Sequence, residues 1–81
     1  MNNKNISLKQ TLDLAFKNHK ENKLRIAENL YLKILKTNPD NFETIFLLGS
    51  LWFQTKKYKD SIRMLTEAIK IQPKNINPYQ N

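Results

Sequence analysis

An internal repeat constrains the fold of this chain more than any other feature of its sequence. When the segment that ends at Pro39 is placed on the segment that ends at Pro73, most apolar positions coincide. We call the interval from Pro39 to Pro73 the repeat period. A fixed period in the range of about 20–50 residues is typical of a unit that cannot bury its hydrophobic face alone and stacks on a copy of itself. The sequence therefore predicts a repeat protein with two units.

Size and composition exclude several classes of protein. The chain has 81 residues, no cysteine and one histidine, His19, which argues against disulfide scaffolds, thiolate metal sites and histidine metal clusters. No stretch approaches the roughly 18 apolar residues of a membrane span, and the first residues lead into no signal-peptide core. We therefore expect a cytoplasmic protein with no metal, no cofactor and no membrane partner.

Hydrophobic periodicity predicts four helices separated by polar corners. The first is expected to begin after Ser7, which can form a capping box with Gln10, and to end at about Lys20. The other three are expected at about 23–36, 42–54 and 57–71. Pro39 and Pro73 follow the second and fourth helices, where the residue before a proline is disfavoured in the helical region.

The third predicted helix is apolar over most of its circumference. It begins at Phe42, after Asp40 and Asn41 as candidate caps, and contains Trp52 near its end. A helix of this kind must be covered on more than one side. We divide the chain into a disordered N-terminal tail (1–6), a first repeat (7–41), a second repeat (42–75) and the start of a third repeat or a capping segment (76–81).

The second unit carries a family resemblance. The segment Ile45-Phe46-Leu47-Leu48-Gly49-Ser50-Leu51-Trp52, followed by Tyr58, Ser61, Leu65, Ala68 and Pro73, resembles a tetratricopeptide repeat. The first unit agrees in kind, although Thr11 and Asn18 stand where aromatic residues are usual. The resemblance implies an all-α fold of tandem antiparallel helix-turn-helix hairpins, stacked as a short right-handed superhelix, an αα solenoid.

The same resemblance implies which residues pack. Gly49 and Ala15 are small enough to let the two helices of each hairpin approach, and Trp52 is interpreted as core before it is interpreted as a ligand platform. The residues expected to carry this packing are Leu14, Ala15, Ala27, Tyr31, Pro39, Leu48, Gly49, Trp52, Tyr58, Ala68 and Pro73.

Function is implied to lie in a concave groove lined by the first helix of each unit. The central candidate residues are Lys9, Leu12, Phe16, Phe46, Ser50 and Phe53; the wider set adds Asp13, His19, Lys20, Glu43, Leu47 and Gln54. Relatives that clamp carboxylates use lysine, asparagine and arginine where this chain has Leu12, Phe16 and Leu47, so we expect an apolar peptide or partner helix. Cover by a second copy, or by repeats outside this sequence, explains the apolar residues equally well.

The net charge of +7 raises a second hypothesis. Basic residues surround both corners, and a stacked array would align them as a ridge that could meet nucleic-acid phosphates. They are Lys17, Lys20, Lys23 and Arg25 at the first corner and Lys56, Lys57 and Lys59 at the second. Glu21, Glu28 and Asp60 are interleaved with these residues, so we favour a solvated face over a nucleic-acid site.

A third hypothesis is an accessory segment of a larger enzyme, because bacterial tetratricopeptide repeats are often joined to glycosyl- or sulfotransferase-like domains. The chain itself has one histidine, no cysteine and no glycine-rich phosphate loop, so we expect it not to be an enzyme. Two repeats are fewer than the roughly three needed for a stable array. We therefore also expect the isolated chain to form a homo-oligomer.

Overall fold

The computed structural model describes residues 7–72, and their regular secondary structure is entirely helical. The helices are α1 (Leu8–Lys20), α2 (Leu24–Thr37), α3 (Phe42–Gln54) and α4 (Tyr58–Ile71). The four predicted helices and the all-α class are confirmed, with every helix end within one residue of its expected place. The predictions made for 1–6, for Pro73 and for 76–81 lie outside the described residues. None of the helices in 7–72 is long and apolar enough to cross a lipid bilayer.

The repeat period is reproduced in the backbone. α3 begins and ends one repeat period after α1, and α4 begins and ends one repeat period after α2. Asn22 and Lys56, which occupy the same position of the two units, both adopt the left-handed conformation, with φ of 64° and 67°. The next residue in each corner, Lys23 or Lys57, donates its backbone N–H to the carbonyl five residues earlier at 2.8 Å. This Schellman arrangement ends the helix and reverses the chain in both units.

Side-chain caps begin α1 and α3. Ser7 Oγ accepts from the backbone N–H of Gln10 at 3.0 Å, and Gln10 Oε1 accepts from the backbone N–H of Ser7 at 3.1 Å, which confirms the capping box. Asn41 Oδ1 accepts from the backbone N–H of Thr44 at 2.9 Å and from its hydroxyl at 2.6 Å. Asn41 rather than Asp40 is therefore the cap of α3, and the same oxygen satisfies the buried hydroxyl of Thr44.

α3 is the central helix of the fold. It packs against α1, α2 and α4, whereas α4 packs only against α3 among these four helices. The expectation that the apolar third helix is covered on more than one side is thus confirmed. The connections between α1 and α2 and between α3 and α4 are three residues long, so each pair forms an antiparallel hairpin. The central core cluster contains Ala15, Ala27, Tyr31, Leu48, Leu51 and Trp52.

Gly49 lies where α3 and α4 approach each other closely. A Cβ atom at Gly49 would lie 2.9 Å from Leu65 Cδ2 and 3.1 Å from Met64 Cβ. Ser61 Oγ donates to the Gly49 carbonyl oxygen at 2.8 Å within this buried contact. The expectation that a small residue at position 49 lets the two helices approach is confirmed.

Leu14 and Tyr58 differ from their expected role as packing residues. Each is 49% exposed. Leu48, which occupies the repeat position of Leu14, is buried because α3 packs against three other helices. Leu24, which occupies the repeat position of Tyr58, packs against the core cluster. The two exposed residues lie in the outer helices α1 and α4, where the cover that their counterparts receive is missing among the described residues.

Candidate functional site

An open depression of about 340 Å³ lies between α1 and α3. Its lining residues are Leu12, Asp13 and Phe16 from α1 and Phe42, Glu43, Phe46 and Leu47 from α3. We call it the α1–α3 groove. Most of its lining is apolar, and its two carboxylates come from opposite helices.

Helical spacing explains how the sequence builds this groove. Leu12 and Phe16 are four residues apart in α1, and Phe42 and Phe46 are four residues apart in α3, so each pair shares one face of its helix. The rings of Phe42 and Phe46 are stacked, with centroids 6.0 Å apart and planes 12° apart. Phe16 and Phe46 both keep more than a third of their surface exposed. The groove therefore presents apolar area that the folded chain does not bury.

The ring of Phe16 is held by its own helix. Lys20 Nζ lies 5.0 Å from the ring centroid, and His19 makes an edge contact with centroids 6.2 Å apart. A cation above an exposed aromatic face contributes about 0.5–1 kcal/mol. Phe16 thus has contacts within its own helix and still lines the groove with 40% of its surface exposed.

His19 joins three helices beside the groove. Its Nδ1 lies 2.9 Å from the hydroxyl of Tyr31 in α2, and its Nε2 lies 2.9 Å from Oε1 of Gln54 in α3. Because Oε1 can only accept, Nε2 carries the hydrogen and Nδ1 accepts from the Tyr31 hydroxyl. Burial raises the pKa of Tyr31 to about 12, so this hydroxyl stays a donor at neutral pH. His19 thus acts as a structural junction rather than as a free groove residue.

The basic corners are partly engaged with carboxylates. Glu21 lies 3.1 Å from Lys17 Nζ and 3.6 Å from Lys23 Nζ, and the hydrogen bond and charge of Lys17 hold the pKa of Glu21 below its usual value. At the second corner, Lys57 Nζ lies 3.6 Å from a carboxylate oxygen of Glu28. Several of the cations proposed for a phosphate-binding ridge therefore already have anionic neighbours.

The structure brings only some of the central candidate residues together. Leu12, Phe16 and Phe46 line the groove, whereas Lys9, Ser50 and Phe53 do not. These three have other contacts: Lys9 Nζ lies 3.3 Å from Asp13, Ser50 Oγ donates to the Phe46 carbonyl at 3.0 Å, and the Phe53 ring makes an edge contact with Tyr58.

Phe42 is a groove residue that the sequence reasoning did not select. The sequence did indicate this role, because Phe42 stands four residues before Phe46 in the same predicted helix and therefore shares its face. Within residues 7–72, no group of three or more histidine, aspartate or glutamate side chains is placed to hold a metal ion. The chemistry offered by the groove is therefore burial of apolar groups next to two carboxylates.

Comparison with known proteins identifies no family for this chain. No protein-family model, no curated protein and no solved structure matches it. The groove and the surfaces of the four helices are therefore the features that bear on its function.

Proposed function

We propose that this chain is a protein-interaction module of the tetratricopeptide-repeat type, which holds an apolar segment of a partner protein in the α1–α3 groove. The observation that carries the proposal is the apolar lining of the groove, in which the rings of Phe16 and Phe46 stay exposed while Leu12 and Leu47 pack against the core cluster. Burying such surface against a partner contributes roughly 25 cal/mol per Å². An apolar peptide or the apolar face of a helix is the ligand that gains most from this groove.

Three features of the fold support the repeat assignment. The backbone conformation recurs after one repeat period, including the left-handed residues Asn22 and Lys56. Gly49 permits the close approach of α3 and α4. The helices contact their neighbours in sequence, and α1 also contacts α3, as expected when one hairpin stacks on the next. A stacked array of this kind places α1 and α3 side by side, which creates the groove.

The carboxylates of the groove indicate the polar part of the partner. Asp13 is paired with Lys9, but Glu43 forms no ion pair within residues 7–72. A lysine or arginine next to the apolar segment of the partner would place its charge near Glu43. At a solvated rim such a pair improves specificity and association rate more than affinity.

The proposal is tested by selecting ligands from a displayed random-peptide library on the intact chain. Selected peptides are then titrated against the double variant Phe16→Ser, Phe46→Ser and against the matched control Phe53→Ser. Phe53 is an equally large aromatic residue of α3, is 61% exposed and lies outside the groove. We expect the double variant to weaken binding at least about tenfold, because each ring loses on the order of 1 kcal/mol or more of burial. The control should bind as the wild type does.

All three positions are exposed, so circular dichroism should show the same helicity in each variant. A double variant that binds like the wild type, or a control that is weakened as much as the double variant, would contradict the groove assignment. Selection of apolar peptides with no basic residue would contradict only the role given to Glu43.

A further inference from the structure

Three rows of side chains run next to one another along α4. Successive residues of a helix are about 100° apart, so residues one position later form the neighbouring row. Ser61 and Ala68 form a buried row against α3. The residues that follow them, Ile62 and Ile69, are exposed and apolar. The residues after those, Arg63 and Lys70, are basic. We call Tyr58, Ile62 and Ile69 the α4 apolar row, and Lys59, Arg63 and Lys70 the α4 basic row.

On α2, the residues at the same repeat positions are covered by helix α3. Leu24, Glu28 and Leu35 stand one repeat period before the α4 apolar row, and all three are half-buried. Leu24 and Leu35 pack against the core that includes residues of α3, and Glu28 Oε2 accepts from Trp52 Nε1 of α3 at 2.6 Å. This position of the repeat is therefore shaped to receive a helix.

On α4 no helix of residues 7–72 covers the corresponding row. Ile62 is 64% exposed and Ile69 is 49% exposed. We infer that the α4 apolar row binds a helix of a partner protein whose apolar stripe is bordered by acidic residues. The backbone equivalence with α2 indicates that the occupant is a helix. Arg63 and Lys70 lie 3.4 Å from Asp60 and 3.7 Å from Glu67, but both ion pairs are exposed and therefore weak. The α4 basic row, directly beside the apolar row, thus indicates an acidic occupant. This surface is separate from the α1–α3 groove.

A second copy of the chain lacks the matching chemistry. Two antiparallel α4 helices related by a twofold axis would bring two basic rows together, and like charges at an interface are unfavourable. A head-to-tail copy would present the α1 face that corresponds to Ile45, Leu51 and Trp52 of α3. On α1 these positions are Thr11, Lys17 and Asn18, which are polar. The partner is therefore a different protein with an acidic amphipathic helix.

The test uses two synthetic amphipathic helical peptides and the full 81-residue chain. Both peptides carry the same leucine stripe; one has glutamate along its border and the other has lysine. Fluorescence anisotropy at low and high ionic strength should show that the glutamate peptide binds about tenfold tighter at low salt, with a smaller difference at high salt. The double variant Ile62→Lys, Ile69→Lys should lose binding of the glutamate peptide.

A charge-reversed variant gives the sharper result. Replacing Lys59, Arg63 and Lys70 together with glutamate should invert the preference, so that the lysine peptide binds tighter. A variant that had merely unfolded would lose binding of both peptides and could not invert the preference between them. The control Lys33→Glu changes an exposed lysine of α2 and should leave the preference as in the wild type.

Four results would each overturn the inference. The first is equal binding of the two peptides. The second is binding that is lost in Phe16→Ser, Phe46→Ser but kept in Ile62→Lys, Ile69→Lys, which would move the peptide to the groove and leave the proposed function standing. The third is a dimer mass by light scattering, or binding to anionic lipid vesicles, that depends on Ile62 while neither peptide binds. The fourth is peptide binding that appears only after residues 73–81 are removed.

Discussion

The indole Nε1 of Trp52 donates a 2.6 Å hydrogen bond to the carboxylate of Glu28. The same carboxylate oxygen lies 3.6 Å from Lys57 Nζ. One polar contact thus joins α2 of the first unit, α3 of the second unit and the corner that precedes α4. Because Trp52 also belongs to the core cluster, this bond lies where α2 packs against α3.

Replacing Trp52 with phenylalanine should show how much this hydrogen bond and the second ring of the indole together stabilise the fold, and Glu28→Gln tests the hydrogen bond without changing the core. Trp52→Phe keeps an aromatic ring in the core and removes the donor, so we expect a loss of about 1–2 kcal/mol in the free energy of unfolding. Glu28→Gln keeps an oxygen acceptor and should cost less. Urea unfolding followed by circular dichroism measures both. A free energy of unfolding equal to that of the wild type in Trp52→Phe would mean that the bond does not stabilise the contact between α2 and α3.

Gly49→Leu should destabilise the second hairpin. The new side chain would enter the space that Leu65 and Met64 fill, and overpacking of this kind costs about 1–3 kcal/mol. Ser50→Leu introduces the same residue at the next position of α3, where the side chain is only half-buried, and should change stability by less than about 0.5 kcal/mol. Thermal melting of both variants distinguishes them. If Gly49→Leu and Ser50→Leu melted at similar temperatures, Gly49 would not be the residue at which α3 and α4 approach each other closely.

Lys56→Gly should stabilise the protein. Lys56 has φ of 67°, a conformation that costs a side-chain-bearing residue about 1 kcal/mol and costs glycine little. The matched change Lys59→Gly lies inside α4 and should destabilise by about 1 kcal/mol. Chemical denaturation should therefore show a rise in the free energy of unfolding for Lys56→Gly and a fall for Lys59→Gly. Asn22→Gly should raise the stability less than Lys56→Gly does, because asparagine tolerates the left-handed region.

The stability of the fold should fall in alkaline solution as Tyr31 ionises. Burial raises the pKa of Tyr31 from about 10 to about 12, so the folded state favours the neutral phenol. Its stabilising effect is complete below about pH 10 and is lost as the pH rises through about 12.

The variant Tyr31→Phe isolates this effect from the titration of lysines. The stability difference between the wild type and Tyr31→Phe should be constant near neutral pH and should shift against the wild type between about pH 10 and 12. Urea titrations at a series of pH values measure it. A difference that stays constant across this range would show that the Tyr31 phenol ionises equally well in the unfolded and folded chain.

Much of the groove could be predicted from the sequence, and Phe53 is an exception with a tertiary cause. The resemblance to tetratricopeptide repeats implied the groove position of Leu12, Phe16 and Phe46, and these three residues do line it. Phe53 was grouped with them because it is also apolar and in α3, but its ring lies against Tyr58 of α4. Which neighbour an aromatic ring meets depends on how helices cross, and helical spacing alone carries no information on crossing.

The sequence by itself determined the local structure: the capping box at Ser7, the Asn41 cap, the helix ends and the repeat period. These features depend on contacts between residues close in the chain, so they can be recognised from short patterns. The tertiary structure decided what each repeat position does. Leu14 and Leu48 are the same residue at the same position of the repeat, yet Leu14 is 49% exposed and Leu48 is fully buried. Burial depends on which helices lie alongside: α3 contacts α1, α2 and α4, whereas α1 contacts α2 and only a small part of α3.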